Sequence, residues 1–530
     1  MKRPLLISLA LVLSACGGGK NTDASSAAAT SDSETGGSDP KGGGSSTDGT
    51  TGTTSEGTGA METGGIGFVS PSAFDCIRTN ESYEQEIKVG ANDFPTIREA
   101  LDEAVAKGWS DVRISVAPGH QESSLDGDLG VFERALIVSE EAYAARIVAI
   151  DLSGGDLAQN ITFEGFEFGD APGIVIKMDG GKTTNQNIHH ITFRNNVIHD
   201  SGSSDTVKIN AGCNHITFDR NVLYGHHDDA MDLNSVEHVF VHDNIFFDVV
   251  GDRQLLVIKD STVVGDEDFY KSTQYAYVQR NIFLNWRGGG NSMMVYLGED
   301  NDRDEYAVQN ALVENNLFLG NGDLSSGFAA PIGLRGVRDI TIRNNTFNGA
   351  FQGGRSWAFL AWAITSPDLL KAEDLYIYNN AWVANQGVGT NRFSKSDADL
   401  VGDFLMTNNL FWNGGTDIPQ SDQGIINYTA DANALTSDPG LPDVPAQISL
   451  PIWNRKNASF DDGSKTICEA FEKLVSAYAQ PASSSSLIDG GVANVTSNAG
   501  DISSATDITT DIRARARVGL PDVGAVEVSP

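Results

Sequence analysis

Basic residues are scarce in this chain. Of its 530 residues, 36 are Lys or Arg against 71 Asp or Glu, a formal net charge of −35. Such a surface repels phosphate backbones, which argues against nucleic acid as a partner. It also repels an acidic polysaccharide unless a bound cation or a local basic patch intervenes. Cysteine is rarer still, at 4 in the whole chain with no Cys-x-x-Cys pair, so no thiolate metal site is expected. Beyond the amino-terminal end, no apolar run is long enough to cross a bilayer. The Leu-x-x-Leu-x-Leu phrase of leucine-rich repeats is absent.

At the amino-terminal end, Lys2 and Arg3 precede the short apolar stretch Leu5 to Leu13. Residues 1–15 therefore read as a signal peptide rather than a membrane span. Leu13-Ser14-Ala15-Cys16 resembles a bacterial lipobox. That resemblance implies cleavage before Cys16, a lipid (palmitate) on its thiol and, with Gly17 following, an outer-membrane address facing the surface or the periplasm. Residues 16–65 are Gly, Ser, Thr and Asp with almost no large apolar side chain. They cannot build a core and are expected to be a disordered tether. Cys76, Cys213 and Cys468 remain. Export permits a disulfide, the odd count leaves at least one free thiol, and the pairing stays open.

Residues 66–530 form the expected folded body. A Pro and Thr start at Pro95-Thr96 leads into Ile97, Leu101 and Val105 at helical spacing, then a strand from Val112 to Ala117. This phrase resembles the helical cap of parallel β-helices. A repeat follows, in nine segments that begin at Ile161, Ile191, Ile216, Val239, Ala276, Ala311, Ile340, Leu375 and Phe404. Each is a strand, a polar turn and a second strand. An Asn recurs in the turn at Asn196, Asn221, Asn244, Asn281, Asn316, Asn345, Asn380 and Asn409, with Phe166 in its place in the first segment. The spacing runs from 23 to 37 residues. That fits a three-strand coil with insertions, not the four-stranded blade of a propeller. Asn tolerates left-handed backbone and can stack in a hydrogen-bonded ladder. The expected fold is all-β: a right-handed single-stranded parallel β-helix with an N-terminal capping helix. Glu469 to Ala479 is expected to be a helix in a less regular tail, and the body is expected to be a monomer.

Aligning the coils brings chemistry together. Asp205-Thr-Val-Lys-Ile-Asn210 lies over Asp229-Ala-Met-Asp-Leu-Asn234. Val207, Ile209, Met231 and Leu233 point in, so Lys208 and Asp232 point out, about 4.8 Å apart. Asp205 and Asp229 stack likewise, and Asp228 is adjacent. Four carboxylates so close call for a counter-ion, and an oxygen-only set suits Ca²⁺. His226 and His227, adjacent on one strand, point opposite ways and do not share a metal. Lys259 ends the apolar strand of the next coil, facing the same side. A divalent cation beside it disfavours its charged form, which lets it act as a base. Further on, Tyr296-Leu-Gly-Glu299 and Gly333-Leu-Arg335 occupy comparable places, and Arg335 is a candidate to grip a substrate carboxylate. Trp286 and Tyr296 are candidate aromatics beside the groove.

Asp205, Asp228-Asp229-x-x-Asp232 and a Lys one coil later resemble the pectate lyases of polysaccharide lyase family nine. The likeness spans roughly 86 to 440, but its specific part is Asp205 to Lys259. It implies Asp205, Asp228, Asp229 and Asp232 as Ca²⁺ ligands and Lys259 as base. The chain is also similar to β-helix lipoproteins of environmental bacteria. The Lys and Arg pair with Asn and Glu ligands of β-helix alginate and chondroitin lyases is not found. The expected function is Ca²⁺-dependent β-elimination on an acidic, pectate-like uronate polymer. A glycoside hydrolase, or a non-catalytic β-helix for glycan binding or adhesion, are the alternatives, because the fold serves all three.

Overall fold

A computed structural model describes residues 81–528, apart from 91–92, 154, 181–186, 211, 249–252, 261–271, 285–292, 299–305, 321–329, 350–358, 362–369, 389–392, 396–400, 421–425, 446, 494 and 496–507. The chain divides into Met1–Phe68 and Val69–Pro530, and the described residues all belong to the second part. Cys16, the tether, Cys76, Trp286 and Glu299 lie outside them.

Each coil feeds three sheets in rotation. Ala158–Glu164 joins the first sheet, Glu167–Ala171 the second and Ile176–Asp179 the third. The next coil repeats this with Ile188–Arg194, Val197–Ser201 and Val207–Asn210. The first sheet has 12 strands, the second 11 and the third 10, and neighbouring coils pair in parallel. This is a parallel β-helix. The starting residues of all nine repeat segments, Ile161 through Phe404, fall in one register column. Strand alternation turns that column and the one two residues on inward.

Parallel stacking sets like upon like in the core. Phe246, Phe283, Phe318, Phe347, Trp382 and Phe411 stack face to face, with ring centroids 4.6 to 5.1 Å apart. Each fully buried ring contributes about 1.5–3 kcal/mol of apolar burial. The turn asparagines form a buried ladder. Each Nδ2 donates to Oδ1 of the Asn one coil on, from Asn196→Asn221 at 3.2 Å to Asn380→Asn409 at 3.0 Å. Phe166 closes one end by donating its N–H to Asn196 Oδ1. Asp431, unmarked in the repeat, closes the other by accepting from Asn409 Nδ2 at 2.8 Å.

The two properties invoked for the turn Asn belong to different residues. Left-handed backbone falls on the residue before it, at Asn195, Arg220, Asp243, Arg280, Asn315, Asn344, Asn379 and Asn408. Arg and Asp serve there as well as Asn, so the recurrence of Asn at the second position reflects the ladder.

Two helices close surfaces that would otherwise be bare. Ile97–Lys107 is capped by Thr96, whose side chain accepts from the Glu99 N–H, and by left-handed Gly108. It buries Ile97, Ala100, Leu101 and Ala104. Val105 is 52% exposed, so the expected Ile97–Leu101–Val105 stripe is corrected: the buried face turns toward the small residues Ala100 and Ala104. The tail helix spans Ile467–Tyr478. It lays Phe471, Leu474 and Val475 over Val222, Tyr224, Ile245 and Ile282, the outer apolar side of the second sheet. Cys213 is a buried free thiol and Cys468 is disulfide-bonded, so Cys213 is outside the pairing.

Asn281→Ala should lower stability by roughly 3 kcal/mol or more, because it strips partners from Asn244, Val241 and Asn316 at once inside the core. Thermal melts checked by near- and far-ultraviolet dichroism measure it; a loss under about 1 kcal/mol would show that the ladder is replaceable by packing.

Candidate functional site

The outer face of the third sheet presents two columns. One runs Asp151, Lys177, Lys208, Asp232, Val257, Tyr296 and Gly333. The other, two residues further along each strand, contains Asp179, Asn210, Asn234 and Lys259, then Gly298 and Arg335. The stacking of Lys208 on Asp232 is as the alignment implied. Lys259 pairs with Asn234, two residues beyond the Asp232–Val257 pairing and so one outward position further along the strand.

At the junction, Asp205, Asp229 and Asp232 each offer an oxygen, and these lie within 4.8 Å of one another. Lys208 Nζ sits between two of them, donating to Asp205 Oδ2 at 2.8 Å and Asp232 Oδ2 at 2.6 Å. Lys259 Nζ approaches Asp232 Oδ2 to 3.6 Å from the next coil. The Asp229 N–H reaches Asp205 Oδ1, and Asp229 Oδ1 accepts from the Gln254 N–H at 2.8 Å. Asp228 turns aside to pair with Arg253 Nε at 2.8 Å. Three of the four expected ligands thus converge, and the fourth has a guanidinium partner.

Burial dominates the electrostatics. It pushes the Asp229 carboxyl up to about 8, with the charges of Asp232 and Asp205 adding to it against the Gln254 hydrogen bond. Burial also raises Asp205, reinforced by Asp232 and opposed by Lys208. For Lys208, burial opposes the charge, but Asp232 and Asp205 outweigh it and raise its pKa. Asp232 is 2% exposed, and its Oδ1 has no hydrogen-bond partner. A cation touching oxygens at about 2.3–2.6 Å can span oxygens up to about 5 Å apart. The donor set and the orphaned oxygen therefore fit a hard divalent ion held by Asp205, Asp229 and Asp232.

Two other acid–histidine groups are satisfied differently. Asp170, His199 and Asp200 meet Arg146 and Arg455; Asp219, His242 and Asp243 meet Arg220 and Arg280. His226 is buried against Thr206, which draws its Nδ1 to 2.6 Å, and burial brings its pKa down to about 3.

Arg335 ends its strand in the column of Lys259, two coils on, with Gly298 between them. A side chain at Gly298 would collide with the Tyr296 ring at 2.8 Å, so the ring lies over that glycine. Tyr296 is buried with Val257, Met293 and Ala330, so it fills the layer over this sheet rather than standing open beside a groove. Sequence reasoning placed Lys208 outward without giving it a role. Its spacing of three from Asp205 and its register over Asp232 were the available signal. Arg253 carried no such signal, since it lies in a turn outside the repeat.

No protein-family model matches the chain, and no curated protein matches it. Solved structures do. A PL6 family alginate lyase aligns at 18% identity with a TM-score of 0.42, over 66% of this chain and 51% of that one, about half the enzyme's length. The A-module of an Azotobacter vinelandii mannuronan C-5 epimerase aligns at 12% and 0.41, over 67% of this chain and 100% of the module. A PL6 family polysaccharide lyase from Pseudopedobacter saltans aligns at 12% and 0.39, over 71% and 99%. At such scores the likeness carries no argument about activity, and the side-chain geometry has to carry it.

Asp229 sets a pH dependence. The unfolded carboxyl titrates near about 4, whereas the folded one holds its proton up to about 8. The stability tied to that proton is full below the unfolded value and is lost as pH rises through the folded one. With cations chelated, Asp229→Asn should melt like the parent at pH near 4 and above it at pH near 9. Parallel melting curves at both pH values would remove Asp229 as the source.

Proposed function

We propose that this protein is a polysaccharide lyase that cleaves a pectate-like uronate polymer by β-elimination. The observation that carries the reading is Lys259, aimed from the next coil at the Asp205–Asp229–Asp232 cluster, with its Nζ 3.6 Å from Asp232. A bound Ca²⁺ would stabilise the charge that develops on the uronate carboxylate when the C5 proton leaves. With the charge of Asp232 taken up, the attraction that keeps Lys259 an ammonium falls away. The neutral amine takes the C5 proton, the electron pair forms the C4–C5 double bond, and the C4–O bond breaks. The leaving oxygen takes a proton from the Lys259 ammonium, and no water is consumed. Arg335, further along the same column, is only 3% exposed and takes no part in this scheme.

Hydrolysis is the weaker reading. It needs two carboxyl groups about 5–9.5 Å apart on either side of the bond, whereas these oxygens crowd within 4.8 Å on one face. We also read the acyl chain on Cys16 as the anchor that holds the body at the outer membrane.

Incubation with pectate, alginate and other uronate polymers plus Ca²⁺ should raise the ultraviolet absorbance of the unsaturated product end. Lys259→Ala should cut that rate by about 10²–10⁴-fold with the melting temperature unchanged, and chelation should abolish it reversibly. No product on any polymer leaves glycan binding as the better account. Separately, Cys16→Ala should move the protein from the membrane fraction to the soluble one; retention in the membrane would refute the anchor.

A further inference from the structure

We propose that Lys208 is the resident cation of the acidic cluster, and that a divalent ion binds there only by displacing its ammonium. The inference rests on the cation site of the proposed lyase and asks what controls its occupancy. Lys208 Nζ lies 2.8 Å from Asp205 and 2.6 Å from Asp232, in the space that an ion shared by those carboxylates requires. An ammonium and a divalent cation cannot occupy one such site, by volume or by charge.

Two features mark the ammonium as replaceable. It leaves the buried Asp232 Oδ1 without a partner, an acceptor that a metal gripping both oxygens would use. It also rides on a flexible stem whose side chain is 28% exposed, so it has a path to solvent. The other two acid–histidine groups are held by arginines, whose planar forks bind carboxylates in fixed geometry. Lysine is a point charge and releases more readily. The cluster therefore stays assembled without a metal, and ion affinity is set by what removing Lys208 costs. Lys259, at 3.6 Å and in the second column, approaches from the next coil and is not in the way.

The test is calcium binding by calorimetry on the full-length protein, with terbium luminescence as a second probe. Lys208→Met should bind Ca²⁺ at least about tenfold more tightly than the parent, a gain of ~1.4 kcal/mol. It should melt lower than the parent in chelator and gain more from added Ca²⁺. Lys208→Gln, which keeps a polar donor, should fall between the two and serves if the Met variant does not fold. Adding Asp232→Asn to either variant should erase the gain, which locates the ion. Equal or weaker binding in both Lys208 variants, or no binding by any form, overturns the proposal. The lyase reading fails by a different readout, absence of unsaturated product, so the two failures are distinguishable.

Discussion

Every feature of this protein depends on parallel stacking of one coil upon the next at about 4.8 Å. Register, once set, makes each position a column, and a column must be tolerable to itself. Apolar columns are easily tolerated, as the Phe246-to-Phe411 stack shows. A polar column inside the core survives only if every member bonds to both neighbours. Asn does so because it carries donor and acceptor on one short side chain. Asp431 completes the series because a carboxylate is all acceptor and needs no coil beyond it.

The same rule gives the outer faces separate characters. The second sheet repeats apolar residues outward at Val197, Val222, Ile245 and Ile282, and the tail helix covers them. The third sheet repeats charge. Acid stacked on acid would be self-repelling, so Lys177 and Lys208 interrupt the column, each bonded to the Asp beside it. In a chain of net charge −35, each of these lysines offsets an acid beside it.

Much of the site was legible because adjacent short coils carry no insertion between them. Asp205 and Asp229 are 24 residues apart, one uninterrupted coil, so Lys208 over Asp232 followed from counting. Legibility fell away with each insertion. Lys259 faces the cluster as expected, yet two residues beyond the Asp232 pairing. Asp228 sits in a turn, where period-two alternation gives no direction, and Arg253 from another turn claims it. Tyr296 is outward by alternation and buried in fact, since alternation tells which side of a sheet a residue takes but not what covers that side.

The amino-acid sequence by itself determined the parallel β-helix, the three-strand coil, the nine stacked segments and both closing helices. These depend on local periodicity, and periodicity is written in the chain. It also determined that Asp205, Asp229, Asp232 and Lys259 would share one face. Only the tertiary structure decided where Lys208 spends its charge, which carboxylate oxygen goes unsatisfied and which acid leaves the cluster. Those outcomes turn on side-chain reach and burial across coils, over differences of an ångström or two that no spacing rule contains.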